Sequence, residues 1–227
     1  MIVAGVDGCP AGWIAFKVEL PSRVTSVEVI DLPAWLKNRP DELASVGIDI
    51  PIGLLDHPRG CDIEARERLG WPRKASVFPA PCRAALTGKN HAEASAVNRQ
   101  KTGRGLSQQA FHIGSKIKQV DDAMTPERQQ WAFEVHPEVC FWKLNSERPM
   151  QHNKKTEPSR NERLNLLRTE FPDIQQHLLN RPSGVGKDDL LDAAAAAWTA
   201  LRRHRSKAVP VCTLERDEKG LSVAIFY

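Results

Sequence analysis

Ile2-Val3-Ala4-Gly5-Val6-Asp7 and Val46-Gly47-Ile48-Asp49-Ile50 are two short apolar runs, each with an acid at or next to its end. Runs this short and this rich in Val and Ile read as buried strands. Between them, Cys9-Pro10-Ala11-Gly12 has turn chemistry. Residues 13–20 (WIAFKVEL) read as a second strand, Pro21-Ser22-Arg23 breaks it, and 24–30 (VTSVEVI) reads as a third. Three consecutive strands with short connections make an antiparallel meander. Pro33 then opens a helical pattern that runs to about Ala44, with Leu36 and Leu43 apolar. Strand, helix, strand is a crossover unit, which sets 46–50 parallel to 2–7. Asp7 and Asp49 then share one edge of the sheet, at the carboxyl ends of neighbouring strands. Open α/β sheets bind their ligands at that edge.

Further along, residues 51–108 are less regular and hold much of the Pro, Gly and Arg. Pro79-Ala80-Pro81 excludes a continuous helix. Trp71, Val77 and Phe78 require burial, so the stretch reads as an insertion with short helices and not as a linker. Residues 107–123 carry an N-cap at Ser107 and apolar positions 110, 113, 117 and 120, a helical spacing. Residues 131–135 (WAFEV) read as a strand carrying Glu134. A polar stretch, 152–169, holds Lys154-Lys155 and then a helical piece around Leu164–Leu167. The clearest helix spans about Lys187–His204: acids open it, alanines fill it, and Arg202-Arg203-His204 close it, matching both ends of the helix dipole. Residues 221–226 (LSVAIF) form a last strand or edge. The whole is one α/β domain over 1–227 with an irregular, helical insertion at about 51–108.

Composition excludes several classes. No run approaches the roughly 20 apolar residues of a membrane span, and the N-terminal stretch is too short and lacks the basic region of a signal peptide. The five cysteines form no C-x-x-C pair. A disulfide framework or zinc ribbon is therefore not expected, and the thiols suit a reducing, cytoplasmic setting. Net charge is +4, yet Arg59–Lys118 holds 12 Lys/Arg against 4 Asp/Glu. A basic segment on a more acidic body is what a phosphate-rich partner such as nucleic acid selects, although solvated helices would look the same. The sequence leaves the oligomeric state open, a homodimer included.

The acids form the chemically informative set. Asp7, Asp49 and Glu134 lie on predicted strands, and Asp189 and Asp192 project from one helix face at i, i+3. Carboxylates about 4 Å apart repel by roughly 4 kcal/mol at an effective dielectric near 20. A hard divalent cation offsets that, which points to Mg²⁺ or Mn²⁺ on Asp7, Asp49, Glu134, Asp189 and Asp192. Among other polar residues, His136 suits a metal or water contact, Arg83 and Lys116 suit a phosphate, and Lys154 and Lys155 read as a mobile basic loop. Each also has an ordinary structural reading: a turn, a helix start, a solvated face. No P-loop, G-x-G-x-x-G or G-x-S-x-G motif occurs.

Five motifs carry a resemblance: G-V-D-G-C-P-A-G-W (5–13), G-I-D-I-P-I-G-L (47–54), S-V-F-P-A-P-C-R (76–83), E-V-H-P-E-V-C-F (134–141) and K-D-D-L-L-D-A (187–193). With R-G-C-D-I-E-A-R-E-R-L-G (59–70) and L-S-Q-Q-A-F-H-I-G-S-K-I (106–117), they resemble the DUF429 family of predicted RNase H-like nucleases over nearly the whole chain. The resemblance implies an RNase H-like mixed sheet, its first three strands antiparallel and the later ones parallel, flanked by helices. It implies acids on the first and fourth strands, matched by Asp7 and Asp49. The D-x-x-D-A of Asp189, Asp192 and Ala193 is similar to the final acidic helix of Holliday junction resolvases. The activity implied is metal-dependent phosphodiester hydrolysis in nucleic acid. Two other readings stand beside it: a non-catalytic nucleic-acid- or protein-binding module on the same fold, and an actin-like nucleotide-binding phosphotransferase. The last usually needs two such domains and a longer chain.

Overall fold

The computed structural model describes residues 1–152 and 156–227. Strands β1 (Ile2–Cys9), β2 (Gly12–Glu19) and β3 (Thr25–Ile30) form the meander. Helix α1 (Leu32–Lys37) is capped by Asp31, whose carboxylate accepts from Ala34 N at 3.0 Å. It stops well short of Ala44, because Pro40 disfavours helical geometry at the residue before it. The chain returns as β4 (Leu43–Ile48), and Asp49 follows directly.

The segment after β4 holds α2 (Gly60–Leu69) and α3 (His91–Thr102), with single 3₁₀ turns at Arg73–Ser76 and Arg83–Thr87. The helix expected over 107–123 is two pieces, α4 (Gln108–His112) and α5 (Gly114–Ala123). Ser107 does cap the first, accepting from Ala110 N at 3.1 Å. Val77 is buried, but Trp71 is 79% exposed, against expectation. Gly70 ends α2 in a positive-φ conformation, and Leu69 and Val77 take the core positions on either side. The turn between them pushes the indole outward.

Then come β5 (Ala132–Glu134), α6 (Pro137–Leu144), α7 (Glu157–Arg168), α8 (Ile174–Leu179) and the long α9 (Lys187–His204). A short hairpin, β6 (Glu215–Arg216) and β7 (Ser222–Val223), precedes Phe226, which bridges to Val135. The five-stranded sheet runs β3-β2-β1-β4-β5, with β1–β4 and β4–β5 parallel. It is an α/β mixed sheet flanked by helices, consistent with the RNase H-like arrangement. No described helix is long and apolar enough to cross a membrane.

Strand alternation divides the core. Ala4 and Val6 pack with Leu32, Leu36, Ile117 and Val120 on one face of the sheet. Val3 faces α9 and its neighbours on the other. Gly5 and Asp7 follow Val3 at period two on that second face. Gly5 is where α9 touches the sheet: a Cβ there would sit 2.0 Å from Ala197 N. Gly47 on β4 plays the same part, its Cβ position lying 2.9 Å from Ala196 O. Two strand glycines and a run of buried alanines, Ala193–Ala197, therefore let the helix backbone settle on the sheet.

Candidate metal centre

That close approach brings three carboxylates together. In β1, Asp7 lies two residues beyond Gly5; Asp49 lies two beyond Gly47, and Val6 pairs with Ile48 across the strands. Asp49 N donates to Val6 O at 2.9 Å, locking the two strand ends. Asp192 precedes Ala193 on α9 and is buried. Oxygen atoms of Asp7, Asp49 and Asp192 lie within 4.8 Å of one another. At that separation each pair repels by roughly 3 kcal/mol at an effective dielectric near 20. The donor set is all oxygen, which suits a hard cation. Opposite corners of an octahedron with bonds of about 2.1 Å are roughly 4.2 Å apart. Three ligands cannot all be opposite one another, and neighbouring corners are only roughly 3.0 Å apart, so the carboxylates would draw together by up to about 1.8 Å to hold one hard divalent cation.

The acids open into a cleft of about 390 Å³, walled by Val77, Phe78 and Ile113. Lys116 reaches it from α5. Its Nζ lies 4.6 Å above the Trp13 ring and donates to Gly12 O at 2.5 Å. A Cβ on Gly8 would collide with the Lys116 side chain, so the glycine beside Asp7 makes room for that cation. His136 and Asp189 also line the cleft.

The family sequence model described as "Protein of unknown function (DUF429)" matches residues 5–216. The chain belongs to the DUF429 family. No curated protein and no solved structure matches it. The match spans every acid of this DUF429 cleft, but the family description assigns no chemistry, which must come from the geometry.

Not all expected residues join the three acids. Asp189, in the first turn of α9, turns back to accept from Gly186 N at 3.0 Å, while its neighbour Asp188 pairs with Arg160 at 2.8 Å. Glu134 was expected as a ligand; its two oxygens instead grip Arg59. Oε1 accepts from Nη2 at 2.6 Å, and Oε2 accepts from Nη1 at 2.9 Å and from Ile52 N at 2.7 Å. Arg59 also donates to Asp62, whose other oxygen accepts from Ala80 N at 2.9 Å. All three charged groups are buried. Burial pushes the Glu134 carboxyl up to about 7, against the pull of Arg59. On Arg59 burial acts the other way, but Asp62 and Glu134 outweigh it and hold the guanidinium charged. The trio ties β5 to the segment after β4 and forms the cleft's back wall.

Arg83, expected to meet a phosphate, is also committed elsewhere. It bonds Asp121 at 2.9 Å, Glu218 at 2.6 Å, and Asp217, bracing α5 against the β6–β7 turn. Burial pushes the Asp121 carboxyl up, but Arg83 and Lys219 outweigh it and hold it below its usual range. Lys154 and Lys155 lie outside the described residues. Sequence reading missed Arg59 and Asp62, although their i, i+3 spacing at the start of α2 was a usable signal.

Proposed function

We propose that this DUF429 protein is a metal-dependent phosphodiesterase acting on nucleic acid. The observation that carries the proposal is the convergence of Asp7, Asp49 and Asp192 within 4.8 Å at the head of an open cleft. These acids hold Mg²⁺ or Mn²⁺, which when bound supplies charge stabilisation at phosphoryl oxygens and a stronger nucleophile from water. Lys116 meets a phosphate oxygen at the cleft wall. Asp189 and His136 line the space where a water would approach, and either side chain can take its proton. Glu134 does not coordinate; through Arg59 it keeps the wall rigid. The net positive charge of the segment Arg59–Lys118 attracts the phosphate backbone without base preference.

The test uses purified protein with Mn²⁺ and labelled single-stranded, duplex and branched substrates. Cleavage that disappears in Asp7→Asn and Asp192→Asn supports the assignment. Absence of cleavage on all three, or full cleavage by Asp7→Asn, sinks it. Mn²⁺ should also raise the melting temperature of the wild type and not that of Asp192→Asn.

A further inference from the structure

Trp71 is the most exposed large hydrophobic side chain among the described residues, at 79%. Tryptophan is highly buried on average, so the position asks for an explanation. It lines a second cavity of about 470 Å³, next to the acidic cleft: Arg59 and Asp62 belong to the walls of both. That volume falls within the roughly 300–1,000 Å³ of small-ligand sites. The rim is cationic. Arg66, Lys74 and Arg104 face the cavity against one exposed acid, Glu67. Lys74 Nζ lies 5.8 Å from the Trp71 ring centroid, and Arg66 is anchored by donating to Val77 O.

We infer that Trp71, with Lys74 and Arg104, is a stacking platform for single-stranded nucleic acid entering the acidic cleft. This rests on the reading of that cleft as a nucleic-acid site. An indole face accepts any base, and cations beside it meet the flanking phosphates. A duplex keeps its bases stacked inside and offers a free face only at its two ends, so the platform favours a single strand. Because Arg59 and Asp62 wall both cavities, a strand held at Trp71 lies beside the cleft that holds Asp7, Asp49 and Asp192.

Binding is measured by fluorescence anisotropy on the full chain in EDTA. The probes are labelled oligothymidine and oligouridine of roughly 15 nucleotides and a blunt duplex of equal length. Trp71→Ala should weaken single-strand binding about five- to hundredfold. Trp71→Phe should stay within about twofold, and duplex affinity should not change. Lys74→Ala and Arg104→Ala should flatten the dependence on salt. Unchanged melting temperature guards against misfolding. The platform is overturned if Trp71→Ala binds single strands like the wild type, if Trp71→Phe loses as much, or if the wild type binds neither oligonucleotide. Trp71-dependent binding to phosphatidylserine vesicles with oligonucleotide affinity unaltered overturns it too. Should Mn²⁺ elicit no cleavage while Trp71-dependent binding persists, the phosphodiesterase reading falls and the platform stands.

Discussion

Replacing Gly5 by alanine tests whether the metal centre depends on backbone contact between α9 and the sheet. The new Cβ would lie 2.0 Å from Ala197 N and 2.1 Å from Ala193 O. Both are backbone atoms within a buried helix, so no rotamer change relieves the overlap. Ordinary contact begins near 3.4 Å. Helix and strand must therefore part by roughly 1.4 Å. Overpacking of this kind costs about 1–3 kcal/mol, and two backbone clashes argue for the upper end. For a chain of this size, about 3 kcal/mol corresponds to a fall of roughly 6–12 °C in melting temperature. Asp192 moves with Ala193, away from Asp7 and Asp49. A 1 Å misplacement can cost about 10²-fold in rate, so Mn²⁺-dependent stabilisation and cleavage should both drop. Thermal melts of Gly5→Ala with and without Mn²⁺ measure this. Gly114→Ala is the control: its Cβ would meet only Leu86 Cδ2 at 3.8 Å. A melting temperature within about 2 °C of wild type, with the Mn²⁺ shift intact, would refute the reasoning.

Three further outcomes follow from the charges. Asp192→Asn removes one of three mutually repelling carboxylates, so in EDTA its melting temperature should rise above wild type by a few degrees; a fall would show that the acids are not in conflict. Arg59→Leu leaves Glu134 and Asp62 buried without their cation and should cost roughly 3–5 kcal/mol in urea unfolding. That loss should shrink as pH falls, because burial already pushes Glu134 up to about 7 and protonation removes the unpaired charge. Asp121 is held below its usual range in the fold. Its contribution is present above the unfolded carboxylate pKa of about 3.9 and is lost as pH falls through the lower folded value. Asp121→Asn should therefore lose less stability than wild type below about pH 4; parallel urea midpoints across that range would contradict this.

Glu134 and Asp192 illustrate what could be read in advance. Both are acids on predicted elements, and spacing treats them alike. Asp192 turns toward Asp7 and Asp49, while Glu134 is captured by Arg59, 75 positions away in the chain. No local pattern encodes a partner at that separation. The i, i+3 pair Asp189 and Asp192 posed the same problem within one helix. Spacing put both on one face, but only the residue lying deeper along the helix reaches the sheet, while the other answers the open amide of Gly186. Trp71 was misjudged because hydrophobicity predicts burial only where the turn points inward.

Asp7 and Asp49 could be paired from the sequence alone. Short apolar runs, turn residues and a crossover helix leave one sensible arrangement of those two strands, and backbone hydrogen bonding then aligns their ends. The Ala-rich helix with its acidic start was equally legible, because propensity and dipole are local properties. Whether its acids meet those of the strands was decided by packing. Contact needed Gly5 and Gly47 beneath Ala193–Ala197, a match between surfaces 149 to 192 positions apart in the chain. Carboxylate geometry at the scale of a metal bond depends on that match, which arises only when the helix settles on the sheet.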